Sequence, residues 1–129
     1  MFTRRSLVKF ALLIAVLPRP ALANSETPFT RAAFEAAQKS GKSILIEIHA
    51  SWCPTCRAQK PIIDSLLATP RFKDVVTFRF DFDAQGDEVR AMGAQSQSTL
   101  IGFKGTKETA RSVGDTDPVS IEQLLASLV

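Results

Sequence analysis

Tyrosine is absent from this chain, tryptophan and histidine occur once each, and cysteine occurs only twice, as Cys53 and Cys56. Two cysteines and one histidine fall short of the four ligands that close a mononuclear structural zinc site. Long apolar runs are missing too. The longest, Phe10 to Leu17, is bounded by Lys9 and Arg19 and is far shorter than the roughly 20 residues of a spanning helix. There is no internal repeat and no low-complexity tract. A basic surface is lacking once the charges are placed. The formal charge of the whole chain is +3, but Arg4, Arg5, Lys9 and Arg19 all lie in the first 23 residues, where there are no acids. Beyond them twelve basic side chains face thirteen acidic ones, a balance of −1. No basic patch with interleaved aromatics remains, which removes the grounds for nucleic-acid binding.

What the first 23 residues do contain is a charged start, an apolar centre and the small-residue ending Ala21-Leu22-Ala23. This is the pattern of a signal peptide, with cleavage expected after Ala23 and export out of the bacterial cytosol. Thr3-Arg4-Arg5-Ser6-Leu7-Val8-Lys9 resembles a twin-arginine signal, and the Sec route stays open beside it. From Asn24 to Val129 the chain has the length of one domain with a modest core.

Within that domain the periodicities alternate between helix and strand. Thr30 to Lys39 predicts a helix with Ala33, Phe34 and Ala37 on one face, stopped by Gly41. Ile44 to Ala50 is an apolar run interrupted by Glu47 and His49, a buried strand. Cys53 to Ala68 predicts a helix containing Pro61. Val75 to Asp83 alternates, with Phe78, Phe80 and Phe82 facing one way. A short helix over Asp87 to Met92 follows. Thr99 to Phe103 and Thr109 to Val113 form a hairpin, and a final helix begins at Asp117-Pro118, with Ile121, Leu124, Leu125 and Leu128 inward. Residues Asn24 to Pro28 read as a polar leader. The sum is an α/β domain with a mixed sheet covered on both faces.

The two cysteines sit in Ser51-Trp52-Cys53-Pro54-Thr55-Cys56-Arg57, directly after the buried strand. A disulfide that closes so short a loop constrains the unfolded chain little, so a purely structural staple is a poor explanation. Covalent haem attachment requires His after the second cysteine, and position 57 is Arg. A dithiol at a helix start remains. There the unpaired N–H groups and the positive end of the helix dipole favour a thiolate at Cys53, and the thiolate is the nucleophile of disulfide exchange.

The run from Ile44 through Trp52-Cys53-Pro54-Thr55-Cys56-Arg57, with Pro61 eight positions after Cys53, resembles the thioredoxin superfamily. The resemblance extends over Phe29 to Leu128. It implies a thioredoxin fold with a four- to five-stranded mixed sheet. The Cys53 to Ala58 segment resembles exported thioredoxins that serve cytochrome c maturation. Gly41-Lys42 and the acid-containing strand resemble the thioredoxin-like domain of membrane electron-transfer reductases. By this resemblance Cys53 is the exposed attacking thiol and Cys56 the shielded resolving thiol. Trp52 flanks the pair, and Glu47 matches the buried acid behind the second cysteine. An acid inside an apolar strand is costly when charged, which suits a general base for Cys56. Arg79 stands where relatives place a lysine near that acid; it either holds Glu47 ionised or is a solvated strand residue. His49 replaces a usual aromatic and shares a face with Glu47. It shuttles protons, binds a metal together with the cysteines, or is simply packed and hydrogen-bonded.

The resemblance also implies a substrate-binding surface made of Trp52, Pro54, Gln97, Ser98 and Thr99. Here the chain departs from the pattern, because relatives place a cis-proline where Ser98 stands. A cis bond before serine costs roughly 3–4 kcal/mol, so a trans Gln97–Ser98 bond is expected. The hydroxyl would be free to hydrogen-bond a thiolate or to tolerate a soft metal. The expectation is a periplasmic, monomeric thiol-disulfide oxidoreductase without a cofactor. It would reduce selected disulfide-bonded proteins and draw electrons from a membrane donor. The competing expectation is a thiolate protein binding copper or an iron–sulfur cluster.

Overall fold

A computed structural model describes residues 26–129 and the single position 15. Apart from that one position, the expected leader over residues 1–23 lies outside the described residues. Among these residues no helix is long and apolar enough to cross a membrane.

Five strands form one sheet: β1 (Thr27–Pro28), β2 (Ser43–His49), β3 (Val76–Asp81), β4 (Thr99–Lys104) and β5 (Lys107–Val113). Their spatial order is β1-β3-β2-β4-β5. β1 and β2 run parallel to β3, and β4 is antiparallel to both β2 and β5. Among the described residues the α-helices are α1 (Arg31–Lys39), α2 (Pro54–Leu67), α3 (Gly86–Ala91) and α4 (Pro118–Ala126). β2 lies at the centre with a partner on each side, which is why five consecutive residues, Ile44 to Ile48, are buried rather than alternate ones.

Alternation along β2 and β3 divides the core in two. Ile44, Ile46, Ile48, Phe78 and Phe80 face α1 and α3 through Phe34 and Val89. Leu45, Val75 and Leu100 face α2 and α4 through Ile63, Leu67, Ile121, Leu124 and Leu125. Helix starts are set locally. Thr30 caps α1 by accepting from Ala33 N–H, and Asp117 caps α4 by accepting from Val119 N–H, with Pro118 as first helical residue. Pro61 lies inside α2, where it has no N–H to donate.

The elements predicted from periodicity are present with ends shifted by a residue or two, and the mixed sheet has five strands. One expectation needs correction. The presumed polar leader contains β1, whose two residues pair with Phe78 and Arg79. Two residues carry no readable period, so only pairing to β3 makes them a strand.

Candidate redox site

The site begins where β2 ends. The chain turns through Ala50, Ser51 and Trp52, and Cys53 N–H donates to Ala50 O at 3.1 Å. Cys53 is the N-cap of α2, and Pro54 is its first residue. Its Sγ accepts the Cys56 N–H at 3.0 Å, in the place an Asp or Ser oxygen usually takes. An anion on Cys53 would therefore meet a hydrogen bond and the positive helix end together. Cys56 lies one turn along, with Sγ 3.9 Å from Ile48 O. Both cysteines are free thiols.

The expected contrast in exposure is not found. Cys53 is 1 % exposed and Cys56 6 %, so Cys53 is no more open than its partner. The two thiols cluster with Ala50, and Phe82, which follows β3, packs against that cluster. Trp52 does not bury itself on the pair. It is 53 % exposed, donates Nε1–H to Asp83 Oδ2 at 2.8 Å and stands edge-on to Phe82. What does separate the thiols is chemistry. Burial first, then the Cys53 thiol beside it, raises the Cys56 pKa above its ordinary value.

The Gln97-Ser98-Thr99 segment lies across the site, and no cis peptide bond occurs among the described residues. Gln97–Ser98 is trans, as the cost of a cis bond before serine predicts. Ser98 has φ +59°, the only described non-glycine residue in that region. It is held there from every side. Its N–H donates to Ile48 O at 2.8 Å, and its carbonyl accepts from Gly114 N–H at 3.0 Å and from Gln59 Nε2 at 3.2 Å. The hydroxyl does not reach a thiolate. It donates to Gln97 O at 2.6 Å. Ser98 and Thr99 are buried, Gln97 is half-buried and Pro54 is exposed. Of the five residues expected to form a substrate-binding surface, Trp52, Pro54 and Gln97 therefore reach solvent, and the side chains of Ser98 and Thr99 do not. The ladder between β2 and β4 buries Thr99 opposite Ile48.

Glu47 faces α2 and is 6 % exposed. Its pKa is pushed up to about 8, first by burial and then by the carboxylate of Glu26. Arg79 does not hold Glu47 ionised. Its Nη2 lies 2.8 Å and 2.9 Å from the two Glu26 oxygens, whereas its Nε stays 4.0 Å from Glu47 Oε2. Lys60, from α2, reaches Glu26 Oε1 at 3.2 Å and Asp64. His49 is half-buried. Burial and then Arg79 hold its pKa below the ordinary imidazole value. It lines a cavity of about 350 Å³ with Glu26, Arg79, Asp81 and Gln85. Among the described residues no group of three or more His, Cys, Asp or Glu side chains is arranged to hold a metal ion.

Four participants escaped the sequence reading: Glu26, Gln59, Phe82 as a neighbour of the thiols, and Asp83. Gln59 had a legible signal, being a polar residue at the inward position of α2, three after Cys56. Glu26 and Asp83 had none, since their partners are remote in the chain.

A buried dithiol capping the helix that follows the central strand defines a thiol-disulfide oxidoreductase site on a thioredoxin fold. The comparisons agree. The thioredoxin family model matches residues 25–127, and the chain belongs to the thioredoxin family. Thioredoxin-2 of Saccharomyces cerevisiae is 32% identical over 97 residues, covering 74% of this chain and 90% of that one. Thioredoxin of Chlamydia muridarum is 34% identical over 83 residues, 64% of this chain and 79% of its own. Among solved structures, Trxlp from Edwardsiella tarda superposes with a TM-score of 0.75 at 36% identity, covering 78% of this chain and 98% of that one. The chain is thus a thiol-disulfide oxidoreductase, and proteins of this family act on disulfide-bonded protein substrates.

Proposed function

We propose that this protein is an exported, periplasmic reductant of a narrow set of protein disulfides. In this reading residues 1–23 are a signal peptide cleaved after Ala23, and the domain over residues 24–129 acts as a monomer. Cys53 thiolate attacks a substrate disulfide, forming a Cys53–substrate disulfide and releasing one substrate thiolate. Cys56 then gives up its proton to Glu47 and attacks Cys53. The Cys53–Cys56 bond forms, the mixed disulfide breaks, and the second substrate thiolate leaves. Two electrons have passed to the substrate. An oxidising compartment supplies no thiol pool to return them, so a membrane electron donor re-reduces the pair. Apocytochrome c, whose haem-binding thiols must be reduced, is a substrate of suitable chemistry.

The observation that carries the reading is the Cys56 N–H to Cys53 Sγ bond at the start of α2. Narrow specificity is supported by the trans Gln97–Ser98 bond and the left-handed Ser98, which present this loop differently from the cis-proline loop of relatives. The equilibrium reduction potential of the Cys53–Cys56 couple tests the direction of electron flow. A value near −270 mV supports a reductant and one near −120 mV makes the protein an oxidant. Fractionation of the native host, with the N-terminus of the mature protein sequenced, tests export and cleavage.

A further inference from the structure

Ile48 is the last buried residue of β2, and its carbonyl receives two donors. The Ser98 N–H reaches it at 2.8 Å. The Cys56 thiol, 3.9 Å away, donates to it weakly. The amide is the stronger donor, so the Cys56 proton is loosely held at a carbonyl already occupied. A proline at position 98 would have no N–H to place there. The thiol would then meet this carbonyl without a competing amide from that position.

The amide is aimed by the serine side chain. Ser98 Oγ donates to Gln97 O at 2.6 Å, the carbonyl of the same peptide unit. One end of that unit is thus tied to the Ser98 hydroxyl and the other to Ile48 O. Beyond it, Gly114 N–H and Gln59 Nε2 both donate to the Ser98 carbonyl, at 3.0 Å and 3.2 Å. These bonds hold the left-handed conformation, φ +59°, in which the N–H meets β2. Gln59 stands three residues after Cys56 on α2, so the helix that carries this thiol also fixes the loop. Uncharged groups meet Cys56 from the other elements: Ala50 after β2, Phe82 after β3, and Ser98. On its own helix the titratable neighbour is Cys53. Burial and then that thiol raise the Cys56 pKa, while backbone hydrogen bonds from Ala50 and Ser98 act the other way.

We propose that Ser98 is a positioning residue for the resolving step: its hydroxyl fixes the Gln97–Ser98 peptide so that the N–H, held on Ile48 O, favours the Cys56 thiolate. This rests on the reading of Cys56 as the resolving thiol. When Cys56 loses its proton, its contact with Ile48 O is gone and a negative sulfur faces a carbonyl oxygen. The Ser98 N–H draws charge from that oxygen and offers the sulfur the positive end of its own dipole. Serine at this position thus acts through the main chain, and its side chain serves to orient the amide.

The test replaces single peptide N–H groups by ester oxygens in the full-length chain, by semisynthesis, and follows both thiols by carbon-13 titration of the cysteine Cβ atoms. An ester at position 98 keeps the serine side chain and removes only the N–H. The Cys56 midpoint should rise by about one pH unit. Resolution of a mixed disulfide at pH 7 should slow about threefold, because a roughly tenfold smaller thiolate fraction is partly offset by a more basic nucleophile. An ester at Gly114 removes the bond to Ser98 O and loosens the same loop, yet should leave the Cys56 midpoint in place. Ser98→Gly keeps the N–H and loses the hydroxyl, so it should raise the midpoint by less than the ester does. In unmodified protein, where no folding defect intervenes, the proton shift of the Ser98 amide should move with the Cys56 titration. An unmoved Cys56 midpoint in the position 98 ester, an equal rise in the Gly114 ester, or a Ser98 amide indifferent to the titration overturns the role of Ser98. No rise in Ser98→Gly overturns the part given to its hydroxyl. The thiol roles are read separately: Cys56→Ser should trap substrate on Cys53. If Cys53→Ser instead traps it on Cys56, the reading of the two thiols fails and this inference with it.

Discussion

Glu47 Oε2 and Arg79 Nε face each other at 4.0 Å inside the domain, and neither makes a hydrogen bond to the described residues. A guanidinium this close would ordinarily draw the acid into an ion pair. Here its Nη2 is committed to Glu26, and the second carboxylate offsets the attraction of the cation. Burial then decides, and Glu47 titrates near 8 rather than near 4.5.

That shift makes stability depend on pH in a stated direction. The folded protein holds the Glu47 proton more tightly than the unfolded chain, so this contribution is fully present below pH 4.5 and is lost as pH rises to about 8. The urea midpoint of wild type should fall between pH 5 and pH 9. In Glu47→Gln that decline should shrink, leaving the variant more stable than wild type at pH 9 by on the order of 3–5 kcal/mol. An equal decline in both proteins would assign the dependence to other groups.

Labelling of the reduced thiols should follow chemistry rather than exposure. Both sulfurs are buried, so bulky maleimides should react slowly with either. With limiting iodoacetamide at pH 7, peptide mapping by mass spectrometry should find Cys53 modified first. Cys56, whose pKa burial raises, should gain label as the pH is raised. Preferential modification of Cys56 at pH 7 would reverse the assigned roles.

Ser98 is the position at which restoring the proline of relatives should do harm. Ser98→Pro removes the hydrogen bond to Ile48 O and demands φ near −65° where the chain has +59°. Thermal denaturation should show a loss of about 3 kcal/mol or more. Ser98→Gly keeps the N–H and tolerates the left-handed conformation, so it should be neutral or gain about 1 kcal/mol. A Ser98→Pro protein as stable as wild type would mean that the loop readily adopts a second conformation.

Gln59 ties the same loop to α2. Its Nε2 donates to Ser98 O at 3.2 Å and to Asp115 O at 2.8 Å. Gln59→Ala leaves both carbonyls without that donor, and a loss of about 2 kcal/mol is expected in urea denaturation. Hydrogen exchange should report the change at the Ser98 and Gly114 amides before it reaches β2. Protection unchanged at both amides would show that the remaining hydrogen bonds suffice.

The local features were legible because their causes are local. A strand shows itself in alternation, as at Phe78 and Phe80, and a helix start in its cap, as at Thr30 and Asp117. The redox pair declared itself by spacing, and the trans bond before Ser98 followed from the intrinsic cost of the alternative. Glu47 could be marked as unusual because an acid stands inside an aliphatic run. Only the tertiary structure decided what surrounds these groups. Glu26 meets Lys60 and Arg79 across 34 and 53 positions of chain, and no periodicity records such a meeting. The thiol cluster packs against Phe82, delivered just after a strand two elements later. The left-handed turn at Ser98 is held by bonds from Ile48, Gln59 and Gly114, residues from three separate parts of the chain. Sequence fixes side-chain chemistry and backbone preference residue by residue. Burial and charge pairing depend on the distances that folding creates, and these set the protonation of Glu47 and the accessibility of the thiols.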